Sequence, residues 1–427
     1  KKAEVNYKKI LKIDEKNLTA LNNLGYLNLI NKKYKIALKY YERVININPN
    51  LVEAFNNKAN CLKGLKLHNE ALNYYDKAIE LNPNYISALY NKANCLLEKK
   101  DFKKALSIYE DVLTLNPNLI NAINNKANCL KELGKYSEAL ICFKKITVIN
   151  PNYFIAIYNQ GVCLKELGKY DEAIKYYDQS LKIKPYFFDA INNKGICLKK
   201  LGKYEKALIC FKKIFEIDPN FYLGIYNYGN CLKELGRYEE AIKKYDQSLK
   251  VKPDFLEALN NKGNCLNELC KFDDAMKCFN KVISIMPNFV DAKFNLGRTQ
   301  LLNGNFKEGW KNYEARKLCN PTQYKFQNQN KELRNCKNIK HKIIYVHHEQ
   351  GLGDYIQFCR YFKKLTDLGA KIVLDPPKPL INMINKMKID YINLDKTKET
   401  QYDYYVSIAS LPLIFNTNLN SIPKETP

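Results

Sequence analysis

Residues 120–153, INAINNKANCLKELGKYSEALICFKKITVINPNY, carry the pattern that governs most of the chain. Ile123, Ala127, Leu130 and Leu133 recur at helical spacing among polar residues, which predicts a helix from about Asn121 to Leu133. Gly134 supplies the left-handed conformation of a helix C-cap. Tyr136 then opens a second helix whose Ala139, Phe143 and Ile146 face back onto the first. Pro151 lacks an N–H and disfavours helix in the residue before it, so the second helix stops there. The pattern returns every 34 residues: the prolines are Pro49, Pro83, Pro117, Pro151, Pro185, Pro219, Pro253, Pro287 and Pro321. Neither helix of such a pair buries its stripe alone, so stability is shared between neighbours.

Other slots keep the same step. An alanine stands twelve residues before the proline (Ala37 to Ala275), an aromatic four residues after that alanine (Tyr41 to Phe279), and a Gly or Ala twelve before it (Gly25 to Gly263). A longer period of 68 lies on top, since DQSLKIKP at 178–185 returns as DQSLKVKP at 246–253 and Cys142 returns as Cys210 and Cys278. Seven of the fourteen cysteines (Cys61, Cys95, Cys129, Cys163, Cys197, Cys231, Cys265) share one slot. Stacked repeats hold equivalent Cα atoms about 9–10 Å apart, and a disulfide needs less than about 7 Å. These thiols are therefore core filler, and the expected compartment is reducing and cytoplasmic. His68 replaces an aromatic that the other repeats carry and is read as packing.

These slots resemble the tetratricopeptide family: small at the eighth and twentieth positions, aromatic at the twenty-fourth, Pro at the thirty-second. The resemblance covers nine repeats over residues 18–323 and implies an all-α superhelical solenoid. Residues 1–17 are expected to supply the second helix of a preceding repeat. The family holds extended or helical peptides on its concave face. One slot on that face is asparagine in all nine repeats: Asn23, Asn57, Asn91, Asn125, Asn159, Asn193, Asn227, Asn261 and Asn295. An amide offers donor and acceptor together, so a ladder of them grips peptide backbone without reading side chains. This resembles the asparagine ladder of the protein O-GlcNAc transferases; the alternative is helix-surface hydrogen bonding without a ligand. Lys63, Lys131, Lys165, Lys199 and Lys233 recur six residues beyond the ladder position, and if they face the groove they favour an acidic partner. The chaperone-tail carboxylate clamp of this family needs a Lys just before the Asn, where this chain alternates Asn with Tyr or Phe.

The ninth repeat departs from the pattern. Gly309 replaces the alanine, Trp310 follows as the only Trp, and Arg316 enters a normally apolar slot, so GNFKEGWKNYEAR reads as an end cap. A connection over 324–341 leads to alternating strands and helices. KIIYVHH (342–348) is a strand, EQGLGD (349–354) a glycine loop, YIQFCRYFKKLTDLG (355–369) an amphipathic helix and AKIVLD (370–375) a strand. A further helix–strand pair and the strand YDYYVSI (402–408) follow. The alternation predicts a parallel, Rossmann-like α/β domain from 342 to 427.

The strings GNFKEGW, YEAR, VHHEQGLGDYIQFCRYF and SLPLIFNT resemble bacterial tetratricopeptide proteins that end in a heptosyltransferase-like glycosyltransferase domain of the GT-B kind. That resemblance implies that 342–427 is the first half of a two-part domain. The nucleotide-sugar donor would be held mainly by a second half in the parent, and this chain alone would carry no cofactor and be inactive. Asp354 would be the base for the acceptor hydroxyl. His347 is a second catalytic candidate, and with Gln350, Gly351 and Gly353 it would shape the acceptor side. The competing reading is a non-enzymatic scaffold with a vestigial α/β tail.

Charge and apolar runs then narrow the partners. Lys and Arg number 69 against 44 Asp and Glu. Only six of the 69 are Arg, and the excess is spread along the chain, which argues against a nucleic-acid partner. No apolar run reaches the roughly 18 residues of a membrane span.

Overall fold

The computed structural model describes residues 2–319, 329–349, 351–387, 389–393 and 401–424. The chain forms two compact units that meet between Ile217 and Asp218.

The first unit opens with the helix Lys2–Ile13 and continues as helix pairs from Leu18–Ile30 and Tyr34–Ile47 to Phe188–Lys200 and Tyr204–Ile217. The pair at 120–153 is typical. Its helices run Ile120–Glu132 and Tyr136–Ile149, within a residue of the expected starts and stops. Ala127, Ala139, Phe143 and Ile146 are fully buried, with Ile123 and Leu130 beside them. Leu133 ends the helix rather than joining its buried stripe. Gly134, at φ 73°, donates to the Lys131 carbonyl while Lys135 donates to that of Leu130, which satisfies the last carbonyls of the helix. At the other end Asn150 caps the second helix on the Ile146 carbonyl, and its side chain accepts from the Asn152 N–H at 3.2 Å, turning the chain.

The left-handed slot is kept in all nine repeats but is not always glycine. Lys32, Lys66, Lys100 and Cys270 occupy it at φ 57°, 65°, 62° and 56°, alongside Gly134, Gly168, Gly202, Gly236 and Gly304. The seven regular cysteines are all fully buried and unbridged. Burial pushes Cys61 and Cys265 up to about 12 and Cys129, Cys163 and Cys197 up to about 11, so these thiols are inert. His68 packs with its Nδ1 3.6 Å from Cys95 Sγ.

The 68-residue period is physical. Ser180 sits fully buried where neighbouring repeats place an apolar residue, and its hydroxyl donates to the Phe154 carbonyl at 3.1 Å. In the second unit Ser248 donates to the Tyr222 carbonyl at 2.9 Å. Tyr158 meets Phe187 edge-on at 4.8 Å, and Tyr226 meets Phe255 at 4.9 Å.

The second unit holds the helices Tyr222–Glu234 to Val290–Leu302, the shortened helix Phe306–Tyr313 and the turn Arg316–Cys319. It then forms four parallel strands, β1 (Ile343–His347), β2 (Lys371–Leu374), β3 (Tyr391–Asn393) and β4 (Tyr404–Ser407), in the order β3-β2-β1-β4. Ile344 lies opposite Ile372 on one side and Tyr404 on the other. Ile344, Val346, Ile372, Leu374 and Val406 fill the sheet's core. The chain steps outward from β1 to β2 and β3, then returns to the far side of β1 for β4.

One sequence expectation needs correction here. The single helix expected over 355–369 is two, Leu352–Phe358 and Tyr361–Asp367. Phe362 N–H reaches back only three residues, to the Cys359 carbonyl, and this tighter turn lets Tyr361, Phe362 and Leu365 enter the core as well as Tyr355 and Phe358. The connection after the last repeat takes part in the α/β core where it is described. Leu333 donates to the Tyr405 carbonyl at 2.9 Å, and Leu333 and Ile339 are buried in the α/β core.

Candidate functional site

Three places combine the residues singled out by the sequence. The first is the asparagine ladder. Asn159 is buried and the other eight are half-buried. In the first unit Asn91 Nδ2 donates to Asn56 Oδ1 at 3.0 Å, Asn125 to Asn94 Oδ1 at 2.9 Å and Asn193 to the Tyr158 hydroxyl at 2.8 Å. In the second unit Asn261 donates to Asn230 Oδ1 at 2.9 Å and Asn295 to Asn260 Oδ1 at 3.1 Å. The donor always lies on the later repeat. An amide nitrogen carries two hydrogens. Asn125 and Asn261 give both to the preceding repeat, the second going to the Tyr90 hydroxyl at 3.4 Å and the Tyr226 hydroxyl at 3.1 Å. Asn91, Asn193 and Asn295 give one each.

Behind the ladder runs a layer that sequence reasoning missed. Asn94 Oδ1 also accepts the Tyr109 hydroxyl at 2.5 Å, and Asn230 Oδ1 that of Tyr245 at 2.8 Å. The buried tyrosine of one repeat thus orients the ladder amide of the next. The only signal for it was Asn recurring just before the regular cysteine. Two of the recurrent lysines reach the ladder from the preceding repeat: Lys131 Nζ donates to Asn159 Oδ1 at 3.1 Å and Lys165 Nζ to Asn193 Oδ1 at 3.3 Å. Burial lowers the Lys131 pKa.

The second place is the carboxyl end of β1 and β4, where strand order reverses. Arg316 from the end of the last repeat is buried there at 6% exposure. Its Nε and Nη2 grip Glu349 in bidentate fashion at 3.0 and 2.8 Å. Nη2 also donates to Ser410 Oγ at 2.9 Å, and Nη1 to Glu314 Oε1 at 2.5 Å. The Ser407 hydroxyl donates to Glu349 as well. Burial works against charge on both Arg316 and Glu314, yet the ion pairs outweigh it. Arg316 stays charged, and Glu314 is held below the usual carboxylate range by Arg316 and Lys317. The unusual Arg316 was visible in sequence; its partners 33 and 94 residues away were not.

His347, the last residue of β1, lies beside this cluster at 6% exposure, its ring 6.4 Å from that of Tyr405. Burial pushes its pKa down to about 4, so the ring is neutral at pH 7. Gly351 caps the helix Leu352–Phe358, and Asp354 folds back over it, its Oδ2 2.9 Å from where a Gly351 side chain would begin. Gly353 faces open space. Gln350 lies outside the described residues.

The third place is a cavity of about 500 Å³ between the last repeat and the α/β layer, lined by Arg298, Trp310, Tyr313, Asp354, Arg360 and Tyr361 among others. Asp354 therefore borders a space large enough for a ligand group. His347 is not among the lining residues, so the two catalytic candidates do not share this cavity. Among the described residues there is no cluster of metal-ligating side chains, and no helix is long and apolar enough to cross a membrane.

Tetratricopeptide-repeat family models match residues 18–51, 154–187, 188–221, 210–243, 229–269 and 256–289. The model of the anaphase-promoting complex, cyclosome, subunit 3 matches 65–146. No curated protein matches. Among solved structures, the chain is similar to YrrB, a TPR protein with an unusual peptide-binding site, at 26% identity over 44% of this chain and 97% of that one (TM-score 0.39). It is similar to a tetratricopeptide repeat protein from Parabacteroides merdae at 19% identity over 58% and 98% (TM-score 0.48). MamA from Desulfovibrio magneticus aligns at 22% identity over 40% and 96% (TM-score 0.39).

Proposed function

We propose that this tetratricopeptide-repeat protein is an interaction scaffold that grips an extended peptide by its backbone along the ladder and presents it to the α/β layer. The observation that carries the reading is the anchoring of the ladder amides within each unit. Asn91, Asn193 and Asn295 each give one N–H to the preceding repeat and keep one for a peptide unit, and Asn125 and Asn261 are held by both of theirs. Pre-set amides lose little rotamer freedom on binding, which favours affinity. The test is peptide binding by fluorescence anisotropy. Asn193→Ala combined with Asn261→Ala should weaken an extended peptide at least tenfold, whatever its side chains. Unchanged affinity would refute the ladder.

In a longer parent we propose that the α/β layer is the Rossmann-like acceptor half of a GT-B glycosyltransferase. A second half would hold the nucleotide sugar, and Asp354 would take the acceptor proton. Support comes from the parallel order β3-β2-β1-β4 with its reversal at β1 and β4, where such sheets place ligands, and from Asp354 beside a cavity. Asp354→Ala in the full-length parent should abolish sugar transfer, and residues 1–427 alone should turn over no nucleotide sugar. One observation favours the non-enzymatic scaffold instead: Arg316 and Glu349 already fill the reversal point. The unbridged cysteines support a reducing, cytoplasmic setting.

A further inference from the structure

We infer that the cavity lined by Arg298, Trp310 and Arg360 is an anion pocket that seats a carboxylate side chain of an acidic peptide. The inference rests on the ladder reading and names the class of peptide. Arginine is scarce in this chain, six residues in all, and two of the six line one cavity. Neither has a carboxylate within ion-pairing distance among the described residues, in contrast to the paired Arg316 and Arg237. Arg360 gives one N–H to the Pro423 carbonyl at 3.4 Å, while its Nε is buried with no acceptor. Trp310, another residue of the lining, likewise has its Nε1 buried with no acceptor. Buried donors left unmatched are costly, so the wall of the cavity is short of acceptors, and its two unpaired arginines leave it short of negative charge. A carboxylate supplies both.

Its apolar walls, including Phe306, Tyr313 and Phe358, suit the methylene stem of such a side chain. Asp354 also lines the cavity, and its like charge confines the bound carboxylate to the arginine side. The source of the anion follows from continuity. Arg298 lies three residues beyond the ladder residue Asn295 on one helix, so the two share a face. A peptide held on the last rung passes the mouth of the cavity, and the chain's net charge of +25 favours acidic segments over others.

Trp310 is the only tryptophan, so its emission reports the cavity directly. The experiment titrates the chain with a capped Gly/Ser peptide bearing one Glu-Glu pair, with its Gln-Gln counterpart, and with free glutarate. Trp310 emission and the anisotropy of a peptide-borne dye are followed together. The Glu peptide should bind at least tenfold tighter than the Gln peptide and shift Trp310 emission. Arg298→Gln and Arg360→Gln should each remove most of that preference; Arg298 is exposed, so its variant tests the idea without threatening the fold. Asn227→Ala with Asn261→Ala should weaken both peptides equally and leave the preference intact. Equal affinity for the two peptides, or a preference that survives both arginine changes, overturns the pocket while the ladder stands. A Trp310 response to glutarate with none to the Glu peptide overturns the acidic-peptide source. Failure of both peptides to bind overturns the pocket and the ladder together.

Discussion

Arg316 and Glu349 face each other as a buried, bidentate ion pair, with Nε–Oε2 at 3.0 Å and Nη2–Oε1 at 2.8 Å. One partner ends the last repeat and the other follows β1, so this pair joins repeat and sheet across 33 residues of chain. Trp310, six residues before Arg316, packs into the same α/β core against Phe358 at 5.9 Å. The end of the last repeat is therefore less a lid on the solenoid than the first layer of the next domain.

Removing one member of a buried pair leaves the other charged and uncompensated, which costs about 3–5 kcal/mol. Arg316→Met should destabilise the α/β layer by that order. Urea unfolding followed by Trp310 emission measures it. A loss under about 1 kcal/mol would show that solvent already reaches the pair.

His347 sets a pH dependence. Its folded pKa is lowered from 6.5 to about 4 by burial, so the fold favours the neutral ring. A group of that kind contributes fully above its unfolded pKa, and the contribution is lost as pH falls from about 6.5 towards 4, up to about 3 kcal/mol. Glu314, lowered from 4.5, adds a loss of the same sign below about pH 4.5. Melting curves read through Trp310 should fall across the first window, and His347→Gln should flatten that part only.

Gly297 tests the last helix pair. A side chain there would begin 2.7 Å from the Asn312 carbonyl carbon, with Tyr313 N nearer still. Backbone does not yield as a ring does, so Gly297→Ala should cost about 3 kcal/mol or more. In the matching slot Gly195→Ala meets the Phe211 ring at 2.8 Å, and Ala59, Ala93 and Ala127 already fill that slot elsewhere. It should cost under about 1.5 kcal/mol. Thermal melts of the two variants should separate accordingly.

Lys100 holds φ 62° where five sister repeats hold glycine. A left-handed L-residue costs about 1–2 kcal/mol, part of which glycine returns through the greater freedom of its unfolded chain. Lys100→Gly should stabilise by up to about 1 kcal/mol, and Gly134→Ala should destabilise by about as much. A lower melting temperature for Lys100→Gly would contradict this account.

Thiol chemistry should sort the cysteines. Cys270 and Cys319 are exposed, whereas the seven regular ones are fully buried. A thiol reagent at pH 8 should label the two exposed sites within minutes, and the seven only as fast as the repeats open. Mass spectrometry of the labelled peptides decides it.

The helix pairs were legible to within a residue because every boundary is written nine times, and chance deviations such as Lys66 for Gly do not hide the slot. Parallel strands were legible from alternation alone, without their order. The break at Cys359–Arg360 left no trace, since no Gly or Pro marks it; it arises from five core side chains competing for one face. The ladder's wiring was hidden for a different reason. Asn94 receives Tyr109 from 15 residues away and Asn125 from 31, distances that only the stacked repeats bring together.

That wiring has a sense. Every bond that Asn91, Asn125 and Asn193 give runs from the later repeat to the earlier, to an Asn oxygen or a Tyr hydroxyl, so these amides are all anchored from the same end of the array. A row of amides anchored from one end is polar, so a bound backbone should keep one N-to-C direction along it, whatever the order of its side chains.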